Sequence, residues 1–152
     1  MQQTTYVMIK PGFADHQNVI YEIKKRILQA RLDIVKFGYV KYSVSDARKH
    51  YEEHLGKSFY PELENYITSG KAYGMIVCGD NAIAKIRLLV QRDKAKGLQK
   101  GDIRYDIPKM LHETPDTTKN VIHASDKEES AEKEIKIFNS LLKKYNKIEN
   151  NN

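Results

Sequence analysis

One histidine in this sequence stands where a reactive side chain could be both held and presented. In Asn120-Val121-Ile122-His123-Ala124-Ser125-Asp126 the two aliphatic residues read as a short buried strand that delivers His123 to its end. Ser125 and Asp126 then read as helix caps, and Asp126 with Glu129 three residues on has the capping-box pattern. The helix behind them is expected over about 127–142, its apolar face made of Ala131, Ile135, Phe138 and Leu142. Glu134 lies beside that face, within reach of the strand end. A carboxylate that accepts from one imidazole nitrogen fixes the tautomer and leaves the other nitrogen nucleophilic. On spacing alone, a partly buried structural histidine in a strand-to-helix turn is the commoner outcome.

A second candidate is Lys10, held at the end of the run Thr5–Ile9, where Pro11 stops the ladder and Gly12 permits an unusual turn. His50 and His54 are four apart and could share a helical face, but no third ligand follows at metal-site spacing. Cys78, the single cysteine, sits in an apolar run and reads as core packing in a reducing compartment. No Gly-x-x-x-x-Gly-Lys stretch is present, which excludes a P-loop kinase.

The elements that must position these groups can be read in order. Thr5–Ile9 is a buried strand. From about 15 to 30, Ile20, Ile23, Ile27 and Ala30 mark one helical face, with Lys24, Lys25 and Arg26 outside it. Residues 34–42 alternate as a half-buried strand, with Val35, Phe37 and Tyr39 as its apolar side. Ser45 is expected to cap a helix carrying Ala47 and Tyr51. Pro61 suits the first turn of the next helix, whose stripe is Phe59, Leu63, Tyr66 and Ile67. Tyr73–Cys78 is an unbroken apolar run, hence a central strand buried on both faces. Asp80 or Asn81 caps a helix with Ile83, Ile86 and Val90 on one side and Arg87 projecting from it. Residues 91–119 show little periodicity and read as a long loop with one short helical turn near 107–111, a kind of segment that is usually functional or disordered. The tail 143–152 is polar and expected to fray. The element order predicts an α+β sandwich.

With 152 residues the chain suits one domain with a full core, and no second domain or repeat is visible over 1–152. No apolar run approaches the roughly eighteen residues of a membrane span, and the N-terminus lacks the basic-then-apolar pattern of a signal peptide. A cytoplasmic location is expected. The net charge of +6 favours anionic partners without choosing between nucleic acid and phosphorylated small molecules.

The block Asn120–Asp126, followed by Ser130-Ala131-Glu132-Lys133-Glu134-Ile135, resembles the active-site signature of nucleoside diphosphate kinases. The resemblance extends from Thr5 to about Phe138. It implies a ferredoxin-like fold, with a four-stranded antiparallel sheet and helices on its faces. It implies transfer of the γ-phosphate of a nucleoside triphosphate, mainly ATP, to a nucleoside diphosphate, with His123 carrying the phosphoryl group between them. It places Lys10 and Asn120 on ribose and phosphate, Arg87 and Arg104 on phosphate, and Tyr51 near the histidine. Phe59 would stack on the nucleobase with Leu63 beside it, which suits broad specificity because every base has a π-face. Glu134 and Ser125 would support the histidine. Mg²⁺ would be held mainly by the nucleotide phosphates, with no metal ligands from the protein, and relatives assemble as hexamers or tetramers.

The chain departs from the family pattern in three places. Lys10-Pro11 continues as Gly12-Phe13 where the family has Asp-Gly, so a shifted turn is expected. Asp93 stands where the family has a phosphate-touching threonine, and a carboxylate would repel phosphate. Residues 109–119 look longer than the family norm; His112 falls there and is expected to be solvated. A rival reading, a weakened relative that uses its charge to bind nucleic acid, rests on these changes.

Overall fold

The computed structural model describes residues 1–117 and 119–150. Four strands, β1 (Gln2–Ile9), β2 (Asp33–Val40), β3 (Ala72–Asp80) and β4 (Ile122–Ala124), form one antiparallel sheet in the order β2-β3-β1-β4. Six helices pack on it: α1 (Gln17–Gln29), α2 (Val44–His50), α3 (Tyr60–Ile67), α4 (Ala82–Val90), α5 (Ile103–Met110) and α6 (Glu128–Asn150). This is the expected ferredoxin-like α+β sandwich.

The two central strands explain why the apolar runs are unbroken. Successive residues of β1 point to opposite faces, so Val7 and Ile9 join a core under α1, α4 and α5, while Tyr6 and Met8 join a second core under α2, α3 and α6. Tyr6, Val7, Met8 and Ile9 are fully buried.

Helix α6 lies unusually close to the sheet because two strand positions carry no side chain. A Cβ at Gly74 would meet the Phe138 ring at 2.4 Å and the Tyr6 hydroxyl at 2.8 Å, and one at Gly38 would meet Leu142 at 2.6 Å. The close approach sets the height of Glu134, one turn before Phe138, above β4.

Several expectations need correction. Val35 and Phe37 are 58% and 53% exposed, because β2 is the sheet edge and a register shift between Ile34 and Lys36 breaks its alternation. The cap of α2 is Ser43, not Ser45; its hydroxyl accepts from the Asp46 amide and the Asp46 carboxylate accepts from the Ser43 amide. In the 91–119 stretch a two-turn helix, α5, starts at Ile103, four residues before the expected turn, so Arg104 is helical. Thr118 of that stretch lies outside the described residues. His123 sits in the middle of β4, opposite Met8, and the strand ends after it. Asp126 takes its bond from the Ser130 hydroxyl at 2.6 Å, four residues on, in place of the expected box with Glu129. Helix α6 runs past Leu142 to Asn150, which makes most of the expected frayed tail helical; residues 151 and 152 lie outside the described residues.

Candidate active site

The site begins with how β4 and α6 meet. β1 holds Ser125 by a two-way exchange: the Ser125 amide donates to the Tyr6 carbonyl at 3.1 Å and the Tyr6 amide donates to Ser125 Oγ at 3.2 Å. Ser125 Oγ in turn donates to Glu134 Oε1 at 2.8 Å, and the same oxygen accepts from His123 Nε2 at 2.7 Å. Glu134 is 4% exposed, so its carboxylate has little water to compete with these donors. The network assigns the Nε2–H tautomer to His123, and among the described residues Nδ1 has no hydrogen-bond partner. The expected His123–Glu134 contact is present.

His50 completes the packing around the ring. Its Nε2 lies 3.3 Å from His123 Nε2, and its ring sits among Tyr42, Tyr51 and Tyr6 at centroid distances of 5.5, 4.4 and 6.0 Å. Burial, then the neighbouring His123, holds His50 well below the usual histidine range, so it is neutral at pH 7. Among the described residues the ligating atoms that converge are those of His50, His123 and Glu134, and His54, in the 3₁₀ turn after α2, is not one of them.

His123 lines a cavity of about 300 Å³. Arg87 from α4 and Arg104 from α5 line it too, with Tyr51, Glu53, His54, Lys94 and Asp126. Arg104 donates to the Ile122 carbonyl at 3.1 Å, while its buried Nε has no partner. Burial, then the nearby Arg87, lowers the Arg104 pKa, as expected of two cations held close together. The Tyr51 hydroxyl is also buried without a partner. Unsatisfied donors beside paired cations are the mark of a place built for an anion.

Lys10 and Asn120 meet, Nζ donating to Oδ1 at 2.6 Å, and the Tyr66 hydroxyl donates to the Asn120 carbonyl at 3.0 Å. Lys10 is 5% exposed, and burial, then Arg104, brings its pKa down to about 7. Phe59 is 47% exposed and its ring lies 5.4 Å from that of His54, a lining residue; Leu63 packs against the second core. Of the residues singled out in the sequence, His123, Tyr51, Arg87, Arg104 and Glu134 line the cavity, and Lys10, Asn120, Phe59 and Leu63 are not among its lining residues.

Sequence reasoning missed Lys94, Glu53 and the cavity side of Asp126. Asp126 had been read only as a cap, and its place directly after the histidine signature was the available signal. His112 is exposed, as expected.

The cavity offers carboxylates at Glu53 and Asp126, hard oxygen donors that suit a hydrated Mg²⁺, but among the described residues the cluster able to ligate an ion directly is His50, His123 and Glu134. Those nitrogens suit a softer metal. The residues therefore fit a magnesium ion that arrives on phosphate oxygens better than one caged by the protein.

Comparison with known proteins agrees with this geometry. The family model for nucleoside diphosphate kinase matches residues 3–142. A nucleoside diphosphate kinase of Methanocaldococcus jannaschii is 40% identical over 138 residues, covering 91% of this chain and 94% of its own length. One from Metallosphaera sedula is 43% identical over 136 residues, covering 90% and 92%. The structure of the Aquifex aeolicus nucleoside diphosphate kinase superposes with a TM-score of 0.77 at 25% identity, covering 91% of this chain and 95% of that one. Among the described residues no helix is long and apolar enough to cross a membrane. A whole-chain match, a shared sheet and a histidine set among phosphate-ready cations lead to one conclusion: this chain belongs to the nucleoside diphosphate kinase family, enzymes that move phosphate between nucleoside triphosphates and diphosphates.

Proposed function

We propose that this enzyme works by a ping-pong route through phosphohistidine at His123, with ATP as the main donor. The observation that carries the reading is the pairing of His123 Nε2 with Glu134 at 2.7 Å in a cavity shared with Arg87 and Arg104. Nδ1 attacks the γ-phosphorus, a P–N bond forms, and the bond to the β,γ-bridging oxygen breaks with its electron pair leaving on the diphosphate. An incoming nucleoside diphosphate then attacks through a terminal oxygen, the P–N bond breaks, and the imidazole is regenerated. Glu134 stabilises the ring as positive charge develops on it, held in place by Ser125. Arg87 and Arg104 neutralise the equatorial oxygens, which is most of what phosphoryl transfer requires of a protein. Lys10 and Asn120 orient ribose and phosphate, Tyr51 donates its free hydroxyl, and Phe59 with Leu63 covers the base. Mg²⁺, when bound to the phosphates, offsets their charge; Glu53 and Asp126 would hold its water shell.

One domain spans 1–152 in this reading, and the enzyme is a cytoplasmic homo-oligomer. Exposed Val35 and Phe37 on the edge strand β2, with exposed Tyr21 and Leu28 on α1, support assembly, since an open apolar edge favours pairing. The single cysteine supports a reducing compartment. The test is incubation with γ-³²P-ATP and no acceptor. A protein-bound label that survives alkali, is lost in acid and is discharged by added diphosphate is the expected result. A label stable to acid would point to a serine ester and overturn the route.

A further inference from the structure

The loop between Arg87 and Arg104 has been rebuilt in a way that the chemistry of Asp93 alone hides. One buried carboxylate ties both ends of it. Asp102, 1% exposed, accepts through Oδ1 from the Arg92 amide at 3.2 Å and the Arg92 Nε at 2.9 Å, and through Oδ2 from the Gln99 amide at 3.0 Å. A second bond from the Arg92 guanidinium reaches the Lys100 carbonyl at 2.6 Å. Asp102 also starts α5, the helix that carries Arg104, by accepting from the Asp106 amide at 2.8 Å through its own carbonyl. The segment 93–98 is thus anchored to the same point as the phosphate-facing arginine.

Inside that frame Asp93 is already engaged. It caps the 3₁₀ turn Lys94–Lys96, its carboxylate accepting from the Ala95 amide at 3.0 Å, and it does not line the cavity. The residue that lines it is Lys94, together with His123, Arg87 and Arg104. Among the described residues Lys94 makes no ion pair or side-chain hydrogen bond within the protein. The lining holds three cations, Arg87, Lys94 and Arg104, and three carboxylates, Glu53, Asp126 and Glu134, of which Glu134 is already engaged by His123 and Ser125 and Asp126 by the Ser130 hydroxyl.

We propose that Lys94 is a phosphate-binding residue of this enzyme, a charged group presented by the Asp93-capped turn. The Asp93 carboxylate accepts from its own turn and is not among the lining residues, and the residue that the loop presents to the cavity is a cation. Lysine acts on phosphate as a compact point charge on a flexible stem. Its contribution falls on nucleotide binding and weakens with salt, because its ammonium is exposed and screened.

The inference rests on the phosphate-transfer reading above, and the experiment separates the two. Steady-state transfer from ATP to a second diphosphate is measured for the natural enzyme, Lys94→Ala, Lys94→Arg and Lys96→Ala, at low and high ionic strength, with ADP affinity measured by calorimetry on each. Lys94→Ala is expected to raise the KM for both nucleotides about tenfold at low salt, the size of one charge-assisted contact, and less at high salt. Lys94→Arg restores most of the loss, and Lys96→Ala, on the solvent side of the same turn, changes little. Equal effects of Lys94→Ala and Lys96→Ala would reduce the finding to general surface charge and overturn the proposal. So would an unchanged KM and unchanged salt dependence in Lys94→Ala. A natural enzyme without transfer would sink the kinase mechanism instead, and the ADP affinities would then decide Lys94 alone.

Discussion

The two walls of the cavity are built by different physics. On the wall formed by β4 and α6, position comes from packing: Phe138 sits where Gly74 leaves room, and Glu134 follows one turn away to meet His123 and Ser125. On the wall formed by α4, the 91–102 loop and α5, position comes from charge and hydrogen bonds, with Asp102 gathering the loop ends and the Arg104 Nε left unsatisfied. The first wall is finished before substrate arrives. The second holds repelling cations together and is completed only by an anion. The nucleophile wall should therefore govern the rate of the chemical step, and the cation wall the binding of phosphate.

That division can be broken by variants on either side. His123→Gln should lower transfer by at least about a thousandfold, with thermal stability close to that of the natural protein, because the ring is replaced by a similar polar shape. Full activity in that variant ends the mechanism. Glu134→Ala should lower kcat roughly ten- to a hundredfold with little change in KM, as loss of a partner that orients a reactive imidazole does. A KM effect of equal size would show that the two walls are not separable. Arg104→Lys should raise KM about tenfold and leave single-turnover rates at saturation nearer to normal, since the forked, planar donor set is lost but not the charge.

The smallest effect concerns pH. Free Lys10 titrates near 7, held down by burial and then by Arg104, whereas bound phosphate favours its charged form. Below pH 7 the lysine is already protonated and binding takes up no proton there. Above pH 7 each binding event must take one up, so nucleotide affinity falls as pH rises, by at most about tenfold per unit. Calorimetry of ADP binding in buffers of different ionisation enthalpy reads that proton directly. Proton uptake that persists in Lys10→Met would assign it elsewhere.

How much of this was legible in the residues differs between the walls in the same way. The helix face of Ala131, Phe138 and Leu142 and the reach of Glu134 follow from helical period, and α6 buries those residues. The cation wall has no period to read. Its loop was expected to be irregular, and α5 was missed over its first turn, Ile103 to Asp106, which is too short to show a period of its own. Lys94 was invisible because its role depends on Asp93 turning to the Ala95 amide, a choice made by the frame around it. Val35 and Phe37 were expected inside because alternation marks a two-sided strand without saying that the strand lies at an edge.

The amino-acid order by itself determined the strands, the main helices, the histidine with its acidic partner, and the family, because these rest on local periodicity and a contiguous motif. Only the folded chain decided that Asp93 faces its own turn and Lys94 the cavity, that His50 packs against the His123 ring, and that burial, then Arg104, pulls Lys10 toward neutrality. Those outcomes depend on contacts between segments far apart in the chain, where the cost of burying charge is set by neighbours that no local pattern records.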